Sequence, residues 1–340
     1  MGAAAFRVVH ARTPIRICDN GGWTDTWFAG HGKVFNIGVS PYVEVQARAF
    51  REGELPARVV IDAENYGDRY GFDPGDLPGR HPLIEAAVDE TGVPDGTSVE
   101  VTIFSSAPAG CSTGTSASVT VALIGALSAL NGRAMAPHEA AYAAYRVEAG
   151  RLQAQTGIQD QLCAAYGGLN YIEVTSFPDA TVTPLHVPDA LSWELERRLV
   201  LVFLGRPHVS SAVHDRVIAG LQGQSRVLDE LRQAAEDARD AVLAADLPAL
   251  GRAMTRNAEA QRRLHPSLVS ADAQHAIDIA TAHGALGCKV NGAGGEGGSI
   301  TVLCGRDSTR PLRRAIEGAD PRFRVVPTSL SRDGLRVWDA

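Results

Sequence analysis

Lysine is nearly missing from this 340-residue sequence: Lys33 and Lys289 are its only two, against thirty arginines. That scarcity excludes a phosphate-loop NTPase, whose signature G-x-x-x-x-G-K-[ST] needs a lysine after its second glycine; here Thr115 follows Gly114. A Schiff-base enzyme is left with two candidates, neither in an evidently apolar pocket. Cysteine is sparse too. Cys18, Cys111, Cys163, Cys288 and Cys304 form an odd set without a C-x-x-C pair, which argues against a disulfide framework or zinc site and for a reduced, cytoplasmic chain. Long apolar runs are absent: the longest, Val119 to Leu130, falls short of the roughly 20 residues that cross a bilayer. The opening "MGAAAFRVVH" has no signal-peptide h-region, and Phe6 stands where a myristoylation motif wants Ser or Thr. The expectation is a soluble chain without a membrane partner. Net positive charge is also lacking. A formal charge of -7 and a pI near 5.8 argue against a nucleic-acid partner.

What is present is an alternation of strand and helix patterns, in a chain long enough for two cores. "FRVVHARTPIRI", "KVFNIGVSPYVEVQARAF", "ARVVIDAE" and "SVEVTIF" alternate at strand spacing. Two helices are expected next. One runs from Ser116 to about Leu130, stopped by Asn131-Gly132, and one from Pro137 to about Gln155, opened by proline. After a strand in "GGLNYIEV", the polar segment Thr175 to Arg197 reads as an inter-domain connection. A second α+β unit follows, with strand "RLVLVFLG", amphipathic helices around 211–239 and 244–263, and strands in "SITVLC" and "FRVVPTSL".

Three stretches carry candidate chemistry. In "SSAPAGCSTGTSASVTVALIGALSAL", glycines and hydroxyls open directly into a helix, whose first amides and dipole suit an anion, phosphate above all. Gly110 and Gly114 let backbone approach it, and Ser112, Thr113, Thr115 and Ser116 add hydroxyls. "RTPIRICDNGGWTDTW" gathers Arg16, Asp19, Asn20 and Asp25 around paired glycines, and reads equally as an ordinary turn. "KVNGAGGEGGSITVLC" brings five glycines to a strand, either a flexible hairpin or a loop approaching phosphates. Glu148 lies on a helix and Asp160 beyond its end at Gly157; acidic residues there ordinarily face solvent, though Asp160 stands between two glutamines and beside an apolar stretch, a poor setting for a merely solvated charge. His208 and His214 lack the spacing of a shared metal face.

In order and spacing, these segments resemble the GHMP kinase family, which includes galactokinase, homoserine kinase and mevalonate kinase. Pro14, Arg16 and Asp25 match the first family motif. Pro108, Gly110, Gly114, Thr115 and Ser116, in a proline-led loop that also holds Cys111, Ser112 and Thr113, match the second, and Gly292 to Gly298 the third. Glu148 and Asp160 match the metal-ligand glutamate and the catalytic aspartate. Within the family, "GGWTDT" and "GIQDQ" look most like sugar kinases acting on heptose 7-phosphate and L-fucose.

The resemblance implies an α+β fold: an N-terminal domain like ribosomal protein S5 domain 2, over 1–180, and a ferredoxin-like C-terminal domain, over 196–340, with the site between them. It implies ATP and Mg2+ as cofactors and transfer of the γ-phosphate to a sugar or sugar-phosphate hydroxyl, most readily the anomeric one. Pro108 to Ser116 are then the nucleotide site, Ser116 and Glu148 the metal ligands, Asp160 the base and Arg16 its cationic partner. Asp25, Gly22 and Trp23 are expected at the sugar. Apart from the resemblance, Arg206 in "GRPHVSS" suits the phosphate of a phosphorylated acceptor, with an ordinary solvated loop as the equal alternative.

This sequence departs from the family twice. Ser112-Thr113-Gly114 replaces the usual Gly-Leu-Gly, and Glu296 is inserted among the third motif's glycines, where a negative charge repels ATP unless it turns outward. Two alternatives stay open: a catalytically silent ATP- and sugar-binding regulator, and a kinase of a non-sugar alcohol.

Overall fold

The computed structural model describes residues 4–207, 213, 217, 218, 220 and 225–340. Alternation in the first fifty residues becomes two long antiparallel strands, β1 (Arg7–Asn20) and β2 (Gly32–Arg51). They are followed by β3 (Val59–Ala63), β4 (Asp68–Phe72), helix α1 (Pro82–Thr91) and β5 (Thr97–Ser105). Next come α2 (Thr115–Leu130), α3 (Pro137–Tyr145), α4 (Gln159–Tyr166) and the hairpin of β6 (Leu169–Ser176) and β7 (Asp179–Leu185). β2 changes partner along one edge: its second half pairs with β5 and its first half with β6. Pro41, which has no N–H to donate, falls in the gap between them.

Helix α5 (Asp189–Arg198) leads into a second sheet of β8 (Leu199–Phe203), β9 (Ala285–Val290), β10 (Ser299–Cys304) and β11 (Arg324–Val326), ordered β11-β8-β10-β9. Its helices are α6 (Ser225–Leu243), α7 (Leu247–Leu264), α8 (Ala271–Ala282) and α9 (Thr309–Ala319). The last strand, β12 (Arg336–Asp339), returns to the first sheet and pairs with β1.

Helix α2 is apolar nearly all round, so it is buried: Val121, Leu123, Ile124 and Leu127 join Val45, Val99, Ile158 and Leu162 in one core. A second core runs between the sheets and unites Ile15 and Ile37 of the first with Leu201 and Leu303 of the other, and with Ala238 and Leu250 of α6 and α7. Each such Leu or Ile contributes about 1.5–3 kcal/mol by its burial.

Several elements differ from the sequence reading, which had no counterpart for α1, α4, α8, α9, β9 or β12. The helix from Pro137 stops at Tyr145 and passes into a π-turn, Arg146–Arg151, instead of reaching Gln155. Such wide turns insert one residue per turn and often mark functional sites. The segment expected as a connection, Thr175 to Arg197, instead holds β7 and α5; Leu191 and Leu195, four apart, bury one face of that helix. β4 was not foreseen, being five residues with a glycine inside. His208, Ser210 and His214 lie outside the described residues.

Candidate functional site

The residues before α2 do not form helix. Gly110 to Gly114 make a loop, and α2 begins at Thr115 with Gly114 as its N-cap. Gly114 sits in left-handed backbone, φ 70°, and provides no side-chain cap, so the helix's first amides open onto the space in front of it. A Cβ there would stand 3.1 Å from Cγ of Asp160; glycine is what lets this acid come up to the helix start.

Asp160 lies in the first turn of α4. Arg16, 4% exposed at the heart of β1, grips it with Nε at 2.8 Å from Oδ1 and Nη2 at 3.1 Å from Oδ2. The same guanidinium donates from Nη1 to the carbonyl of Ser112 at 2.6 Å, and the Arg16 amide donates to the carbonyl of Thr113 at 2.9 Å. One arginine thus ties the phosphate-type loop to the acid. Burial works against its charge, but Asp160 and Asp19 more than offset this and raise its pKa.

Asp25 caps the other end of this constellation. Its Oδ2 accepts from the amides of Ile158 at 3.0 Å and Gln159 at 3.1 Å, the start of α4. Burial pushes its carboxyl up to about 6, against the pull of those amides and with help from the nearby Asp160 charge.

Glu148 projects from the π-turn. Burial, aided by Asp160, raises its carboxyl to about 7, and its Oε1 is buried with no hydrogen-bond partner among the described residues. A carboxylate so poorly compensated is a natural cation ligand. No cluster of three or more His, Cys, Asp or Glu fit for a metal occurs among the described residues. Magnesium needs no such cage when phosphates and water complete its shell.

Arg16, Trp23, Asp25, the loop Gly110–Ser116, Glu148, Asp160 and Gly292 all line one cavity of about 610 Å³. Trp23 borders it only in part: 4% exposed, its ring packs near Phe28 in a cluster with Leu228, Leu231 and Leu264. Gly22 lies behind the wall, where a Cβ would be 3.0 Å from Asp19 Oδ2 and from Gln159 Nε2. Pro108 closes the turn into the loop, accepting from the Cys111 amide at 3.2 Å.

Residues 82–168 match the GHMP kinases N terminal domain. The D-glycero-alpha-D-manno-heptose 7-phosphate kinase of Campylobacter jejuni is 23% identical over 98% of this chain and 99% of that protein. A mevalonate kinase of Thermococcus sibiricus is 27% identical over 87% of this chain and 86% of its own. The bifunctional fucokinase/GDP-fucose pyrophosphorylase of Arabidopsis thaliana is 23% identical over 89% of this chain and 30% of that larger protein. The crystal structure of a D-glycero-D-manno-heptose 1-phosphate kinase from Bacteroides thetaiotaomicron superposes with a TM-score of 0.77 at 23% identity, covering 97% of this chain and 98% of that one. The chain is similar to GHMP kinases along nearly its whole length, and residues 82–168 match that family's N-terminal domain. Its α+β architecture is the GHMP kinase fold.

The third glycine run joins the site from the second sheet. A Cβ at Gly292 would stand 3.0 Å from the Ser112 carbonyl and 3.1 Å from Arg16 Nη2. Ser299 Oγ donates to the Cys111 carbonyl at 2.6 Å, locking the two loops together. The inserted Glu296 turns outward, its side chain 74% exposed and 3.9 Å from Arg206. Arg206 is itself exposed and does not line the cavity.

Several residues escaped the sequence reading. Lys289 was taken to lack an apolar setting; it is fully buried, with Nζ 2.9 Å from Asp19 Oδ1. β9 is covered on both faces, so its pattern gave no sign of which side a lysine would enter. Asn257 on α7 accepts from the Gly21 amide at 2.7 Å, and its neighbour Gln261 donates to the Gly292 carbonyl at 3.3 Å. At the opposite end of the cavity lie Tyr66, Arg80 and His81. Buried Glu85 fixes that end, accepting from the amides of Gly79, Arg80 and His81.

Proposed function

We propose that this chain is an ATP-dependent sugar kinase that transfers the γ-phosphoryl group of MgATP to a hydroxyl, the anomeric one, of a heptose 7-phosphate or L-fucose type sugar. The observation that carries the reading is the bidentate Arg16–Asp160 pair set against the open helix start at Gly114. An acid, a cation and an anion site within one cavity are the parts that phosphoryl transfer asks for.

The first amides of α2 and the hydroxyls of Thr115 and Ser116 hold the phosphates. Ser116 and Glu148 are the ligands for Mg2+, which when bound neutralises phosphate charge. Asp160 accepts the proton of the attacking hydroxyl as its oxygen bonds to the γ-phosphorus; the bond from that phosphorus to the β–γ bridging oxygen breaks, and ADP leaves. Arg16 orients Asp160 through its two contacts and offsets charge on the transferred group. Asp25, through the α4 amides, sets the height of Asp160 in the cavity and offers its second oxygen to the sugar. The "GGWTDT" segment and the heptose kinase and fucokinase relatives support a sugar as acceptor.

A kinase assay with ATP and a panel of free sugars, sugar phosphates and mevalonate tests the reading. Turnover of a sugar or sugar phosphate supports it. The mevalonate kinase relatives favour a second reading, a non-sugar alcohol as acceptor, and turnover of mevalonate alone selects that one. ATP and sugar binding without turnover of any acceptor indicates a silent regulator.

A further inference from the structure

Behind the Arg16–Asp160 pair, the charges continue inward in alternating sign. Asp160, its side chain 28% exposed, faces Arg16; Arg16 Nη1 lies 3.9 Å from Asp19 Oδ2; and Asp19 Oδ1 receives Lys289 Nζ at 2.9 Å. Asp19 and Lys289 have no exposure at all. The row sums to zero charge and crosses from the first sheet to the second, because Asp19 belongs to β1 and Lys289 to β9.

Its inner half touches both working parts. Asp19 Oδ2 also accepts from the Gly292 amide at 3.0 Å, and Gly292 is the residue where an added Cβ would crowd Arg16 and the Ser112 carbonyl. Lys289 Nζ spends a further hydrogen on the Val290 carbonyl at 2.7 Å. A buried ion pair rarely adds net stability over an apolar pair of like size, whereas removing one partner strands the other. The pair therefore needs a reason other than stability.

We propose that Asp19 and Lys289 are positioning residues for phosphoryl transfer: Lys289 neutralises Asp19 so that Arg16 is left to Asp160, and Asp19 seats the third glycine loop against Arg16. Without Lys289, the buried Asp19 carboxylate has only Arg16 to pair with and draws the guanidinium off Asp160. With both charges gone, Arg16 has one carboxylate partner again. The inference rests on the kinase reading, and it predicts non-additivity in kcat, whereas a pair that serves only the fold is non-additive in stability alone.

The test is a double-mutant cycle with Lys289→Met, Asp19→Asn and the double variant, in steady-state kinetics and thermal melts. Lys289→Met is expected to lose at least about tenfold in kcat while KM for ATP stays within about threefold, and the double variant to return to within about threefold of the unchanged kcat. In melts without substrate, Lys289→Met lowers Tm more than the double variant does. Unchanged kcat in Lys289→Met, or a folded double variant no better than the single one, overturns the proposal. If Lys289→Met does not fold, the double variant decides alone: it must fold and keep kcat. If the unchanged protein phosphorylates nothing in the panel, the kinase reading fails, and the melts still judge the charge row: additive losses reject it.

Discussion

The guanidinium of Arg16 holds the carboxylate of Asp160 through two contacts, 2.8 and 3.1 Å, across 144 residues of sequence. Each residue is anchored elsewhere, Arg16 in β1 and Asp160 at the head of α4, so their meeting is imposed by the fold and not by local chain geometry. Preorganised pairs of this kind need no rearrangement during reaction.

Asp160→Ala is expected to lower kcat by about 10²–10⁴-fold, the usual effect of removing a general base. ATP affinity, measured by equilibrium titration, should change little, because the proposed nucleotide contacts lie on the loop and α2. Near-normal turnover would falsify the assignment.

Gly114→Ala places a methyl group 3.1 Å from Asp160 Cγ and forces a non-glycine residue to φ 70°. The backbone strain is about 1–2 kcal/mol. The acid must also retreat from the helix start, so kcat should fall at least about tenfold, the order expected when a reacting group is misplaced. A melt separates the strain from the kinetic loss.

Glu148 gives a pH-dependent stability whose sign is fixed by its raised carboxyl. With about 7 in the folded chain against 4.5 as reference, its protonated form stabilises the fold fully below 4.5, and that contribution is lost as pH rises through 7. In chelator, Glu148→Gln should therefore raise Tm at pH 8, by a stability gain on the order of 2–3 kcal/mol. The gain should vanish near pH 4. Added Mg2+ with nucleotide should protect the unchanged protein from thermal unfolding more than the variant; equal protection of both would remove Glu148 from the metal site.

Arg206→Ala discriminates between acceptors. Should the substrate be a sugar phosphate held by Arg206, its KM rises and KM for ATP stays put. Its place outside the cavity, 3.9 Å from Glu296, gives the contrary expectation for a free sugar: no change in either KM.

Local pattern made much of this protein legible. Alternation marked β1, β2, β3 and β5; the small apolar run marked α2 and its stop at Asn131-Gly132; and the glycine-hydroxyl stretch marked the loop that opens α2. Arg16, Asp25, Glu148 and Asp160 could be singled out because their spacing resembles a family's, and all four line one cavity. The π-turn that carries Glu148 could not be read, since a residue inserted into a helical turn leaves the apolar period nearly unchanged.

Sequence by itself determined the long strands β1 and β2, helix α2 and the glycine loops, because those depend on neighbours a few residues away: side-chain period, caps and backbone freedom. Only the tertiary structure decided what stands behind them. That Lys289 is buried, that it meets Asp19 across 270 residues, and that Asp25 spends one oxygen on the amides of α4 all follow from how two sheets pack. Contacts of that range are set by the burial of whole faces, and no short-range period encodes which polar side chain a distant strand will bring to them.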